Sequence, residues 1–137
     1  MVVGAGISGI MAAKNAAKNN FKTLLVEEKN ELGGSTIYEN NEFNKIDNKA
    51  PSEWLKKEIE ELKNIKNLEI KTRTSVAAYH QYNYLLAREN LTDHLEAKDK
   101  TNKIRQRLLK IRAKKVILAT GALELSLIHI SEPTRQW

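Results

Sequence analysis

The chain has 137 residues, 41% of them apolar and 29% charged, which allows one domain built around one modest core. No apolar run approaches the ~20 residues of a membrane span, and the first residues carry neither the basic start nor the apolar stretch of a signal peptide, so neither membrane nor export is expected and the cytoplasm is. The absence of cysteine excludes a disulfide framework, a thiolate metal site and a redox-active thiol pair, while the net charge of +6 comes from dispersed lysines that read as a solvated surface rather than a nucleic-acid site.

Met1 to Val3 read as the end of a buried strand. They lead directly into Gly4-Ala5-Gly6-Ile7-Ser8-Gly9, a G-x-G-x-x-G turn. A helical stretch from Ile10 to Asn20 follows, rich in alanine, with Asn19-Asn20 as its stop signal. An apolar strand over Thr23–Val26 comes next, closed by Glu27. Each glycine has a job in that context. Gly4 permits the tight strand-to-helix turn, Gly6 lets backbone approach a pyrophosphate, and Gly9 lets the helix lie close on the strand. The helix N-terminus offers N–H groups and a partial positive charge to phosphate, with Ser8 in its first turn. Glu27 stands where a carboxylate accepts hydrogen bonds from the adenosine ribose. It is expected at the lip of the sheet, with little part in packing. Glu28 follows with no arginine nearby in the sequence, which favours NAD or FAD over a 2′-phosphorylated dinucleotide.

Gly33-Gly34-Ser35 form a loop near the same crevice, either a second backbone approach to the dinucleotide or an ordinary turn. A helix starts near Pro51 with Leu55, Ile59 and Leu62 as its buried stripe, Trp54 and Ile65 flanking it, and Glu58 and Glu61 among its surface charges. "LEIKTRTSVAAY" alternates as one strand ending at Thr74-Ser75-Val76, where Val76 could reach an adenine or simply end a strand. "QYNYLLAREN" and "KIRQRLLKIRAKK" read as antiparallel strands, with Tyr82 and Tyr84 alternating on the first. Val116–Ala119 suits a central parallel strand. Thr120-Gly121 turns at its carboxyl end, again at the crevice. His80 and His94 have no partners at metal or triad spacing, and no residue looks like a nucleophile or tuned general base, so no metal and no catalytic residue is expected.

The order of strand, glycine turn, ribose carboxylate, GG and "ATG" resembles the two-dinucleotide-binding flavoproteins. More narrowly, "LVEEKNELGGS", "TRTSVAAYHQYNYL", "LTDHL" and "RQRLLKIRAKKVILATGALE" are similar to the α subunit of heterotetrameric sarcosine oxidase over residues 1–124. The resemblance implies that this domain holds NAD, while FMN and FAD sit in the β subunit, with γ and δ subunits as further partners. It implies oxidation of sarcosine to glycine with hydrogen peroxide as a product. Carried onto this chain, Gly4, Ala5, Gly6, Ser8 and Gly9 hold the pyrophosphate, Glu27, Glu28 and Lys29 border the ribose, Gly34 and Ser35 lie near the GG loop, Val76 is at the adenine, and Thr120 and Gly121 close the crevice. Tyr79-His80 replaces the family's usual Tyr-Asp, and Leu109 a usual Trp.

The expected fold is therefore α/β: a Rossmann-like FAD/NAD(P)-binding domain truncated at both ends. Its parallel strands lie near 1–3, 23–27, 68–73 and 115–120, and an antiparallel insertion spans about 79–112. Residues 1–124 form the domain. "LSLIHISEPTR" resembles a translated sequencing adapter, so 125–137 are expected to be a non-native tail. Such a fragment is expected to be inactive alone. Two other readings stay open: a related FAD-dependent amino-acid or opine oxidoreductase subunit, and a basic binding module with no redox role.

Overall fold

The computed structural model describes residues 1–38, 45–96 and 104–121. The proposed tail at 125–137, and its boundary at 124, lie outside the described residues. The chain runs β1 (Val2–Val3), α1 (Ile7–Lys18), β2 (Thr23–Val26), α2 (Pro51–Lys63), β3 (Leu68–Lys71), β4 (Thr74–His80), β5 (Tyr84–Asn90), β6 (Gln106–Arg112) and β7 (Ile117–Leu118). Short 3₁₀ turns cover Gly34–Tyr38 and Gln81–Asn83. No helix among the described residues is long and apolar enough to cross a membrane.

Two sheets result. One is parallel, in the order β3-β2-β1-β7, with Val2 opposite Leu25 on one side and Ile117 on the other. The other is antiparallel, in the order β4-β5-β6. The chain winds outward from β1 through β2 to β3, makes the antiparallel excursion, and returns to the opposite side of β1. That reversal leaves a crevice at the carboxyl end of β1, the place where open α/β sheets take their ligands.

The helices follow from their residues. α1 carries Ala13 and Ala17 on its buried face, so it lies close to the strands beneath. Its C-terminus is a Schellman motif: Asn20 adopts φ +66, its N–H donates to the Ala17 carbonyl, and the Phe21 N–H reaches the Ala16 carbonyl. The expected Asn19-Asn20 stop is thus borne out by geometry, while the helix starts at Ile7, earlier than Ile10. α2 opens with Pro51 at its first turn, which needs no N–H there. Trp54, Leu55 and Leu62 enter the core with Val2, Ala5, Ile10, Ala13, Leu25 and Leu32, and Ile59 packs against it half-buried.

Four expectations need correction. The stretch 68–80 is two strands: β3 ends at Lys71, and β4 belongs to the antiparallel sheet, so the insertion begins at Thr74 rather than about residue 79. The break falls at Arg73, whose φ of +49 cannot continue a strand. Tyr82 is not on a strand. It sits at φ +60 beside Asn83 at φ +54 in the three-residue turn joining β4 to β5. Ile117–Leu118 pairs with β1 alone at the end of the described sheet, with Leu118 64% exposed, rather than running centrally.

The fourth correction concerns charge. Glu58 is buried rather than a surface charge, and its partner is Lys14 of α1. Lys14 Nζ donates to Glu58 Oε2 at 2.6 Å and lies 2.5 Å from Glu61 Oε2, which sets the two helices side by side. Periodicity along α2 could not show a partner on another helix. The hydrogen bond to Glu58, then that to Glu61, raises the Lys14 ammonium above the ordinary lysine value. The same hydrogen bond lowers the Glu61 carboxyl below its ordinary value. A raised lysine contributes stability that is complete below ~10.4 and lost as pH climbs through its folded value; a lowered glutamate contributes above ~4.3 and loses it as pH falls. The bridge therefore stabilises across neutral pH and fades at both extremes. Lys14→Met leaves Glu58 buried without its cation and is expected to lower stability by ~1–3 kcal/mol. Adding Glu58→Leu is expected to restore most of the loss. Urea melts of both variants at neutral pH check this.

Candidate functional site

Five segments meet at the carboxyl ends of the parallel strands: the glycine turn after β1, residues 27–29 after β2, the Gly33-Gly34 loop, the break at residues 72–74, and Thr120-Gly121 after β7. Backbone hydrogen bonds hold them together. Gly4 N–H donates to the Val26 carbonyl at 2.8 Å, Gly33 N–H to the Ala5 carbonyl at 2.7 Å, and Thr74 N–H to the Glu27 carbonyl at 2.9 Å.

The three turn glycines are there for different reasons. A Cβ on Gly4 would stand 2.2 Å from the Ala119 carbonyl oxygen and 3.2 Å from Thr120 Cα, and its φ is +99. One on Gly9 would stand 1.7 Å from the Gly4 carbonyl oxygen. Both glycines are required by the protein's own packing. Gly6 is not: its φ of −74 suits any residue, and a Cβ there would meet nothing within 4 Å. Beside it stands Gly34 at φ +55, whose Cβ would come 3.1 Å from Gly6 Cα.

Gly6 is also the N-cap of α1, and it provides no side-chain cap. The first bond of the helix runs from Ile10 N–H to the Gly6 carbonyl at 3.0 Å. The N–H groups of Ile7, Ser8 and Gly9 therefore lie ahead of the ladder. No acidic residue occupies that turn, and Ser8 is exposed in it. Open space, free donors and the positive end of the helix dipole together suit an anion such as a pyrophosphate.

Glu27 departs from expectation. It is 7% exposed. Its Oε2 accepts the Ala5 N–H at 2.7 Å and its Oε1 accepts the Lys29 N–H at 3.3 Å. The carboxylate thus ties the glycine turn to the loop after β2 and is part of the fold, not an idle acid at the lip. Each oxygen has a second lone pair, so the role of ribose acceptor stays open to it.

The other expected residues divide. Glu28, Lys29 and Ser35 are exposed beside the cluster, as are Thr120 and Gly121, the latter at φ +76 with open space around it. Val76 is half-buried in β4 opposite Ala87, two residues beyond the Thr74 link, and is tied to the cluster only through that strand. Sequence reasoning missed Arg73, whose N–H donates to the Lys29 carbonyl at 2.9 Å. No sequence signal marks it, because the alternation of "LEIKTRTSV" runs through it without a break. Among the described residues no group of three or more His, Cys, Asp or Glu could hold a metal ion. His80 and His94 are exposed.

A parallel sheet that reverses at β1, with a glycine turn feeding a helix N-terminus at the reversal, defines a dinucleotide-binding module. The chain belongs to the pyridine nucleotide-disulphide oxidoreductase family, which matches residues 1–133. It is 34% identical over 128 residues to sarcosine oxidase subunit alpha of Corynebacterium sp. (strain U-96), a match covering 93% of this chain and 13% of that protein. L-proline dehydrogenase from P. horikoshii superposes with a TM-score of 0.69 at 25% identity, over 92% of this chain and 23% of that one. Thioredoxin reductase from Lactococcus lactis shares the fold at a TM-score of 0.58 and 23% identity, over 92% of this chain and 36% of that one. The chain spans a small part of the length of each. With no cysteine in its sequence, it shares with the family the nucleotide-binding frame and not a disulfide.

Because Glu27 bonds both segments, Glu27→Ala is expected to lower stability by ~1–3 kcal/mol even without ligand. Glu27→Gln, which keeps one acceptor oxygen, should lose less. Urea denaturation of the ligand-free chain ranks the three proteins, and equal midpoints for Glu27→Ala and wild type would remove the structural role.

Proposed function

We propose that this chain is the NAD-holding part of the α subunit of an amine-oxidising flavoprotein complex that acts on sarcosine. The observation that carries the binding role is Gly6. Packing accounts for Gly4 and Gly9, but among the described residues nothing accounts for Gly6. A glycine kept at an open helix N-terminus, where any side chain would fit, suits a ligand that needs the space.

The residues present fit a dinucleotide. Gly6, Ser8 and the first N–H groups of α1 would hold the pyrophosphate, with Gly34 and Ser35 beside it. Glu27 would accept from the adenosine ribose, with Glu28 and Lys29 bordering it, Val76 toward the adenine, and Thr120 and Gly121 at the crevice mouth. When bound, the dinucleotide supplies redox chemistry through its nicotinamide. The chain's own part is to bind it and orient it, and no side chain in the cluster is placed as an acid or base. By itself the chain is therefore proposed to be without oxidase activity. The choice of NAD, the sarcosine reaction and assembly with β, γ and δ subunits that hold FMN and FAD follow the likeness to sarcosine oxidase subunit alpha. Residence in the cytoplasm belongs to the same reading, as does the assignment of 125–137 to a tail outside the domain.

Gly6→Thr tests the proposal. Threonine caps a helix about as well as glycine, so the melting temperature should hold, while NAD affinity should fall by roughly tenfold or more, which corresponds to ~1.4 kcal/mol. Gly9→Ala should lower both, because its Cβ collides with backbone. Calorimetric titration beside thermal melts reads the outcome. Unchanged NAD affinity in Gly6→Thr would sink the assignment of the turn, and binding of FAD instead of NAD would replace the cofactor.

A further inference from the structure

Arg73 has no role in the reading above, yet it combines three features. It occupies the left-handed region at φ +49, where a side chain bearing Cβ is strained and glycine is not. It is half-buried. And among the described residues no hydrogen bond or ion pair engages its guanidinium, a group with five donors and a permanent charge. Its neighbours in sequence and charge are served: Lys71 lies 3.5 Å from Glu89 and 3.6 Å from Glu69, Arg107 lies 3.7 Å from Glu89, and Arg105 pairs with Asp93.

The backbone of Arg73 is also fixed. Its N–H donates to the Lys29 carbonyl at 2.9 Å, and its carbonyl accepts the Asn90 N–H at 2.9 Å. One residue on, Thr74 N–H donates to the Glu27 carbonyl. The residue is thereby stitched to the loop that carries Glu27, Glu28 and Lys29. Backbone strain of this kind is unfavourable to the fold and gathers at functional sites, and glycine here would remove it. The Arg73 backbone lies against the Lys29 carbonyl, one residue along the chain from Glu28.

We propose that Arg73 is a further binding residue of the dinucleotide site, its guanidinium serving the adenosine half of the ligand. The proposal rests on the reading of the glycine turn as a dinucleotide site. A ligand with its pyrophosphate at the N-terminus of α1 and its ribose at Glu27 runs over the end of β2 toward the break before β4. There it meets Arg73. A planar guanidinium lies well against a purine ring, and its charge offsets the exposed Glu28 carboxylate.

Three proteins test this: wild type, Arg73→Gly and Arg73→Lys. NAD, adenosine 5′-monophosphate and nicotinamide mononucleotide are titrated by calorimetry, and each protein is melted without ligand. Arg73→Gly is expected to melt at or above wild type, because glycine accepts the backbone angle. Its affinity for NAD and for adenosine 5′-monophosphate should fall on the order of tenfold, with nicotinamide mononucleotide unaffected. Arg73→Lys should fall between, since lysine keeps the charge and loses the plane. Wild-type affinity in Arg73→Gly, or a loss shared by nicotinamide mononucleotide, would overturn the proposal. So would a clear drop in its melting temperature, which would assign Arg73 to the fold. A wild type that binds no dinucleotide at all would instead remove the reading of the turn, and that result is visible before any variant is compared.

Discussion

The bond from Ala5 N–H to the Glu27 carboxylate, 2.7 Å long and buried, is the constraint on which the site depends. It joins the turn after β1 to the end of β2, two places that the parallel pairing of Val3 with Val26 brings level but does not shape. Around it the rest is fixed in order. The other carboxylate oxygen takes Lys29 N–H, the Ala5 carbonyl takes Gly33 N–H, and the Glu27 carbonyl takes Thr74 N–H. One side chain and its own backbone thus hold three loop segments together, those of Ala5, Lys29 and Thr74, and Ala5 in turn holds the fourth through Gly33. A charged group is suited to this, because bonds to a carboxylate are stronger than those between neutral groups.

That arrangement explains how so small a parallel sheet can present a defined crevice. β1 and β7 have two residues each, too few for their ladders to fix a turn. Contact between backbones does it instead. Gly4 abuts Ala119 and Thr120, Gly9 abuts Gly4, and Gly34 abuts Gly6. The packing beneath comes from α1 and α2, locked to each other by Lys14 on Glu58 and Glu61. Scaffold and site share Gly4, Gly9 and Glu27, so a change to any of these three reaches the fold as well, whereas at Gly6 the chain leaves space.

What was legible in the sequence was what neighbours in the chain decide. The glycine turn, the strand Thr23–Val26, the asparagine stop of α1, the start of α2 at Pro51 and the antiparallel pairing of β5 with β6 all have local signatures, and all are present. The convergence of Gly4, Gly6, Glu27, Gly34 and Thr120 on one crevice followed from strand topology. What was not legible depends on residues far apart. The burial of Glu58 needs Lys14 on another helix. The structural bonds of Glu27 need the backbone of residues 5 and 29 in place. The division of 68–80 into two strands turns on one φ angle at Arg73, in a stretch whose alternation continues unbroken through it. Tyr82 reads as a strand residue because its neighbours alternate, and only the paired left-handed angles of a tight turn remove it.

The pairing of β1 with β7 carries a kinetic consequence. Val2 and Ile117 lie about 115 residues apart, whereas the β4–β5 hairpin closes over three residues. Closing the longer loop is entropically dearer by roughly 3 kcal/mol if the intervening chain is flexible, so the antiparallel sheet can form early and the β1–β7 ladder only once much of the chain between is ordered. The wall of the crevice formed by Ala119 and Thr120 therefore arrives late in folding. On a ribosome it cannot arrive until residue 120 has left the exit tunnel, long after the glycine turn it completes. Until then the backbone of that turn lacks one of its walls, and the nascent chain carries a glycine turn that is chemically complete and geometrically unfinished.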